Sequence, residues 1–171
     1  LLMITVVGTW YLIPEPTIIV QKTAQQTDYF IVDFNRKQMD VAGAIASQFS
    51  ADRVDHYPDE KRAELIQPRA ITYSHDTPPW HLRANSGTQW EESNQVTLKG
   101  NVIANQDYPD SSRFSRIVTE ESQVMLDDEY METDKLITFT TDRSTTKSIG
   151  AQLWLDSGEI RLLKNSTGRY N

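Results

Sequence analysis

The feature that most limits what this chain can fold into is apolar–polar alternation with a period of two, which recurs from Asp28 almost to the end. Val96-Thr97-Leu98-Lys99-Gly100-Asn101-Val102 alternates in this way. So do Trp80-His81-Leu82-Arg83-Ala84 and Leu153-Trp154-Leu155, the last continuing into Ile160-Arg161-Leu162. Successive side chains of a strand point to opposite faces, so this texture means strands with one face in a core and one in water. Threonine and other β-branched residues reinforce it, as in Lys135-Leu136-Ile137-Thr138-Phe139-Thr140-Thr141. Turn signals return at strand-length intervals: Pro58-Asp59, Thr77-Pro78-Pro79, Pro109-Asp110-Ser111 and Asp156-Ser157-Gly158. Past residue 27 no stretch keeps a helical i, i+3, i+4 pattern. The fold class is all-β.

A weak internal repeat sharpens this. Segments opening at Ala51, Ala84, Thr119 and Ala151 each run from a small residue through a strand and a turn to a second strand. Those second strands are Leu65-Ile66-Gln67-Pro68, Leu98-Lys99-Gly100-Asn101-Val102, Leu136-Ile137-Thr138-Phe139 and Leu162-Leu163-Lys164-Asn165. The starts are 33, 35 and 32 residues apart. A period in this range means stacked supersecondary units, here antiparallel hairpins. Hairpins with an apolar inner face close into a flattened sandwich, a jelly roll or an open-ended groove.

The N-terminus is different. Leu1 to Ile13 carries no charge and is stopped by Pro14-Glu15-Pro16. It is shorter than the roughly 20 residues a helix needs to cross a bilayer. The opening on Leu, with Trp10 and Tyr11 placed as an interfacial belt just before the prolines, reads as the C-terminal part of a transmembrane anchor. Residues 14–27 are a linker, and 28–171 the β-domain.

The search for chemistry excludes more than it finds. The net charge of −7 comes without a basic run, which removes a nucleic-acid footprint. No cysteine is present, so there is no disulfide framework, thiolate metal site or thiol nucleophile. His56, His75 and His81, with Asp55, Asp59 and Asp76 near them, read as surface residues of alternating strands and not as a metal site. The acidic pairs Glu91-Glu92 and Glu120-Glu121 and the run Asp127-Asp128-Glu129 read as solvated, the last as a hairpin tip. Phosphate-binding, dinucleotide and nucleophile-elbow motifs are absent. No cofactor or metal is expected, and no catalytic residue is assigned.

What remains is the apolar face. Alternation places Phe34, Val54, Leu65, Ile71, Leu82, Val96, Leu98, Val102, Ile117, Val124, Leu126, Ile137, Phe139, Leu153, Leu155, Ile160 and Leu162 inward. A packed core and a lipid groove with an open seam would use the same residue types. Alternation does not separate them.

The segment Trp80-His81-Leu82-Arg83-Ala84-Asn85-Ser86-Gly87, followed by Leu98-Lys99-Gly100-Asn101-Val102, resembles the repeat of the lipopolysaccharide-transport β-jelly-roll proteins (LptA, LptC and the LptD N-terminal domain). The N-terminal anchor, Thr119-Glu120-Glu121 and Thr133-Asp134-Lys135-Leu136-Ile137 are similar to LptC within that group. So are Gly150-Ala151-Gln152-Leu153, Leu162-Leu163-Lys164-Asn165 and Arg169-Tyr170 at the C-terminal end.

The resemblance implies a twisted open β-jelly roll behind a single-pass inner-membrane anchor, with the domain in the periplasm. It implies a non-enzymatic carrier that takes lipopolysaccharide from the LptB/LptF/LptG ABC transporter and passes it to LptA. The acyl chains would ride in the inward-facing groove, with Phe34 and Leu65 near its mouth. Gly150, Leu162 and Tyr170 would belong to the LptA-facing C-terminal edge, and the strand Phe30–Phe34 would face the transporter. Two other readings stay open: a structural adaptor with a closed core and no lipid, and a carbohydrate-active jelly-roll enzyme using two acidic residues.

Overall fold

The computed structural model describes residues 27–74, 77–109, 111–125 and 128–170. The anchor, and the linker up to residue 26, lie outside the described residues. Among the described residues no helix is long and apolar enough to cross a membrane.

Eleven strands form one antiparallel sheet: β1 (Tyr29–Met39), β2 (Ile45–Tyr57), β3 (Arg62–Ile66), β4 (Arg69–Thr72), β5 (Trp80–Arg83), β6 (Ser86–Trp90), β7 (Gln95–Asp107), β8 (Phe114–Met125), β9 (Tyr130–Thr141), β10 (Ser144–Trp154) and β11 (Ile160–Tyr170). A 3-10 turn, Pro58–Glu60, joins β2 to β3. The pairing partners of the two 13-residue strands reveal the architecture. The first half of β2 pairs with β4 and its second half with β3. The first half of β7 pairs with β6 and its second half with β5. Two half-sheets therefore share the same long strands: one runs through β4 and β5, the other through β3 and β6. We call these the first and second half-sheets.

Each long strand changes half-sheet at a bend near its middle. Backbone φ is positive at Asp33, Gln67, Gly100, Asn101, Gly150 and Asn165. Pairing registers slip at Lys99/Val102, Thr119/Gln123 and Ile149/Ala151. An extra residue in one strand bends it and sharpens its twist. In a row of neighbouring strands such bends fold the whole sheet over.

The sequence repeat marks this fold line. Its four opening residues, Ala51, Ala84, Thr119 and Ala151, are 2%, 4%, 3% and 3% exposed. They sit at the inside of the bend, where the half-sheets converge and leave least room, which is why small side chains recur there. The Pro68, Gly100-Asn101 and Asn165 breaks fall on the same line. The repeating unit is thus a passage from one fold-line crossing to later ones, and not the simple hairpin that the spacing suggests.

The half-sheets close on one continuous core. Trp80, Val102, Ala104, Ile117, Ile137 and Leu153 are its most enclosed members, and Leu65, Leu82, Val96, Leu98, Met131 and Leu155 extend it. A fully buried Val, Leu or Ile contributes roughly 1.5–3 kcal/mol through the surface it removes from water, so this half of the roll stabilises the fold. Across the open side, the Ser74 hydroxyl donates to the Asp156 carbonyl at 3.0 Å, tying the β4–β5 loop to the β10–β11 turn.

Candidate functional site

The core is solid at one end and open at the other. Between the half-sheets, toward β1 and β2, lies a cleft of about 440 Å³. Phe34, Phe49, Ala70 and Leu82 line it from the first half-sheet, and Val54, Leu65, Val96, Val124 and Leu155 from the second. Arg36, Gln38, Ser47, Gln89, Asn94 and Glu129 add polar groups. The Phe34 and Phe49 rings meet edge-on with centroids 6.0 Å apart. A small adjoining pocket reaches Pro68 and Leu98 and shares Phe49, Ala70, Leu82, Val96 and Val124 with the cleft. A concave apolar site with a few convergent polar groups is the usual form of a ligand pocket.

The inward set inferred from alternation divides along this line. Phe34, Val54, Leu65, Leu82, Val96, Val124 and Leu155 line the cleft, and Leu98 lines the small adjoining pocket. Val102, Ile117, Ile137 and Leu153 are buried in the closed part, at 0–1% exposure. Phe139, Ile160 and Leu162 pack against the core half-buried, outside the cleft. Leu126 lies outside the described residues.

Ile71 requires correction: it faces the other way. It stands opposite Gln48 and His81, whereas its neighbour Ala70 stands opposite Leu82 and lines the cleft. Cross-strand partners share a face, and in a strand as short as β4 a one-residue shift exchanges the two faces. Alternation missed Phe49, Ala70 and Met125 as lining residues. The run Ser47-Phe49-Ala51 carries a period-two signal that could have revealed Phe49.

Two further sequence readings change. Asp128 and Glu129 do form the turn between β8 and β9, and Asp128 is exposed there. Glu129, however, is half-buried and lines the cleft, and burial, with help from the Asp156 charge, pushes its carboxyl above the ordinary range. Asp127 lies outside the described residues. His56 is not a surface residue either, since its side chain is only 13% exposed. It shares the inner face with Val54, at the outer rim of the second half-sheet. There its two ring nitrogens face carboxylates, Nδ1 toward Asp28 Oδ1 at 2.6 Å and Nε2 toward Glu91 Oε1, each donating when the ring is protonated, and the ring stacks on Tyr29 at 4.5 Å. His81 is exposed as read, and His75 and Asp76 lie outside the described residues.

The His56 cluster ties the start of β1 to the β6–β7 turn, and its charge state has a defined consequence. Hydrogen bonds to Glu91 and then Asp28 raise the His56 pKa above its ordinary value. At Asp28, desolvation pushes upward, but the His56 bond and the Tyr29 amide outweigh it and lower the pKa. A raised histidine pKa gives stability that is complete below the unfolded value of about 6.5 and is lost as pH rises through the folded value. The lowered Asp28 gives stability present above its unfolded value and lost as pH falls through the folded one. The hold on β1 is therefore expected to loosen as pH rises through the raised His56 pKa and again as pH falls through the lowered Asp28 pKa. An NMR titration of the His56 ring should give a midpoint above 6.5, and His56→Gln should abolish the alkaline loosening of β1 seen by amide exchange.

Each end of the sheet is an open edge. Among the described residues β1 pairs only with β2, and β11 only with β10. The β1 edge exposes Tyr29, Phe30, Ile31 and Val32, and Tyr170 near the end of β11 is 85% exposed. Gly150 is not itself on the free edge. It lies on β10, where a side chain would meet Leu163 of β11 and the Thr133 carbonyl of β9. Leu162 is on the edge strand, but its side chain packs toward the core.

The fold is shared with a known structure. The crystal structure of LptH from Pseudomonas aeruginosa, described as the LptA homologous periplasmic component of the conserved lipopolysaccharide transport device, superposes with a TM-score of 0.51 at 12% identity. The match covers 70% of this chain and 82% of that one. No match is found among curated proteins. The family model described as "Lipopolysaccharide-assembly, LptC-related" matches residues 1–171, and the chain belongs to this LptC family.

Proposed function

We propose that this chain is a lipopolysaccharide carrier of the inner membrane. It receives the lipid from the LptB/LptF/LptG transporter, holds the acyl chains in the cleft, and passes them to LptA on the way to the outer membrane. The observation that carries this reading is the cleft itself, an apolar space of about 440 Å³ between the two half-sheets. A lipid gains roughly 0.8 kcal/mol for each methylene it buries, so apolar contact supplies most of the affinity. Anchoring by a single membrane helix near residues 1–13 keeps the cleft close to the transporter. Fractionation of the full-length protein tests that point: a fully soluble periplasmic protein, in cells lacking the transporter, would refute the anchor.

A photoreactive residue at Phe34 is expected to capture lipopolysaccharide. One at Thr97, which register pairs with Thr88 and Gln123 on the opposite face, is expected to capture none. Equal capture at both positions would overturn the interior site and leave an adaptor that joins partners through its open edges.

Those edges support the assignment of partners. Unpaired strand edges invite addition of another chain's strand. The β11 edge is assigned to LptA and the β1 edge to the transporter's periplasmic domains. Photoreactive residues at Tyr170 and Phe30 should therefore capture LptA and the transporter, respectively. The reverse pattern would invert the direction of the bridge.

A further inference from the structure

The outer face of the first half-sheet carries an unbalanced set of cations, although the whole chain has a net charge of −7. Pairing registers define two rows across this face. One row contains Ser50, Arg69, Arg83, Ile103, Val118, Thr138 and Lys147. The other runs from Lys37 through Gln48, Ile71, His81, Asn105, Arg116 and Thr140 to Thr145 and Arg169. On the outer face of the second half-sheet, by contrast, Arg53 pairs with Asp55, Arg62 with Glu60 and Glu64, Lys99 with Glu121, and Arg161 with Glu159. On the first, Arg69 has Asp52 at 2.8 Å, while Lys37, Arg83, Arg116, Lys147 and Arg169 have no ion pair among the described residues.

Within this face lies a recess of about 250 Å³ whose polar lining is Arg69, Arg83, His81, Asn35, Gln48 and Asn105, and which adjoins the cleft through Phe49, Ala70 and Leu82. Arg69 and Arg83 stand directly opposite each other across β4 and β5. Like charges in that position repel, and Asp52 compensates only one of them. A guanidinium presents a donor fork that fits phosphate oxygens in pairs. The three amide side chains beside it offer both donors and acceptors, the chemistry that recognises sugar hydroxyls. Two of these amides are already oriented, Asn105 by donating to Asp107 at 2.9 Å and Gln48 by donating to Tyr73 at 2.9 Å.

We propose that this outer recess is a binding site for a phosphorylated saccharide, distinct from the lipid cleft. It is formed by the same strands, β2, β4 and β5, on the face opposite the cleft. A saccharide bound there gains from the surplus charge at Arg83 and from Lys37 and Arg116 along the neighbouring row. The phosphate group could belong to a lipid headgroup or to a free sugar phosphate, and both present the same atoms to Arg83.

The test is a titration of the full chain by calorimetry with glucose 1-phosphate, glucose and inorganic phosphate, none of which carries an acyl chain. Failure of the lipid cleft therefore cannot be mistaken for failure of this site. Saturable binding of the sugar phosphate, tighter than either glucose or inorganic phosphate, is expected. Arg83→Gln should weaken it about tenfold or more, as loss of a charged hydrogen bond does. Arg83→Lys, which keeps the charge but not the fork, should fall between. Arg169→Gln, on the same face but beyond the recess, should leave binding unchanged. Equal losses in Arg83→Gln and Arg169→Gln would mean diffuse surface charge and overturn the recess. Equal affinity for inorganic phosphate and the sugar phosphate would overturn the saccharide. No binding at millimolar ligand would overturn the proposal altogether. If Arg83→Gln does not fold, as judged by circular dichroism, Asn105→Leu serves the same comparison. To separate the two sources, deacylated lipopolysaccharide is compared with glucose 1-phosphate: tighter binding of the former assigns the headgroup, parity assigns free sugar phosphates.

Discussion

Replacing Leu65 with aspartate is expected to abolish lipid loading. Leu65 is 2% exposed, lines the cleft from β3, and lies opposite Val54 and Gly87. Its methyl groups occupy room that Gly87 leaves free, since a side chain there would come within 3.2 Å of Leu65 Cδ1. A carboxylate at this position must either stay hydrated, which brings water into the cleft, or be buried without a partner. The loss of packing and the desolvation together cost the fold about 3–5 kcal/mol. Copurification of lipopolysaccharide with the variant measures the loading. A shape-preserving change, Val124→Thr, guards against simple misfolding: it adds one hydroxyl to the cleft wall and is expected to reduce loading about tenfold, for a cost of about 1–3 kcal/mol. Wild-type loading in a folded Val124→Thr protein, together with wild-type loading in Leu65→Asp, would remove the lipid from the interior.

The second large effect is expected at Gly150. Its φ is +79°, a left-handed conformation that a β-branched residue adopts only under strain. A Cβ built there meets Leu163 Cδ1 at 3.0 Å and the Thr133 carbonyl oxygen at 3.2 Å. The leucine can turn aside, but the carbonyl belongs to the β9 backbone. Nearby, the buried Ser148 hydroxyl bonds the Gly150 and Lys164 carbonyls, so any displacement also disturbs a hydrogen-bonded bend. Gly150→Val should cost about 2–4 kcal/mol in strain and displaced contacts. For a domain of this size that is a fall in Tm on the order of 5–15 °C. Because the clash falls between β10 and β11, capture of LptA at the β11 edge should fall in parallel. A Tm within about 1 °C of wild type, well below the shift that strain of this size produces, would show that the bend tolerates a side chain.

Much of the fold was legible in the sequence because alternation is a local property. A strand such as Trp80-His81-Leu82-Arg83 shows its two faces within four residues, and Trp80 and Leu82 are indeed buried while His81 and Arg83 are exposed. The repeat was legible for a less obvious reason. Its starting residues have to be small wherever the chain crosses the fold line, so the spacing of Ala51, Ala84, Thr119 and Ala151 records a tertiary constraint in the primary sequence. Ile71 was misread because the short β4 offers too few positions to fix its phase. Its face depends on pairing with Gln48 and His81, contributed by two other strands. His56 and Glu129 were misread because the acidic partners and apolar walls around them come from distant parts of the chain.

By itself, the sequence determined that this is an all-β domain and that its strands have one apolar face. It also carried the LptC resemblance that the family match establishes over residues 1–171. Only the tertiary structure decided which part of the apolar face closes into solid core and which stays open. Val102, Ile117 and Ile137 carry the same alternation as Val54, Leu65 and Val124, yet the first three fill their space and the others line a cleft. The difference is the separation of the two half-sheets at each point. That separation is set by the bends and by side chains meeting from strands far apart in the chain, and no local pattern of polar and apolar residues encodes it.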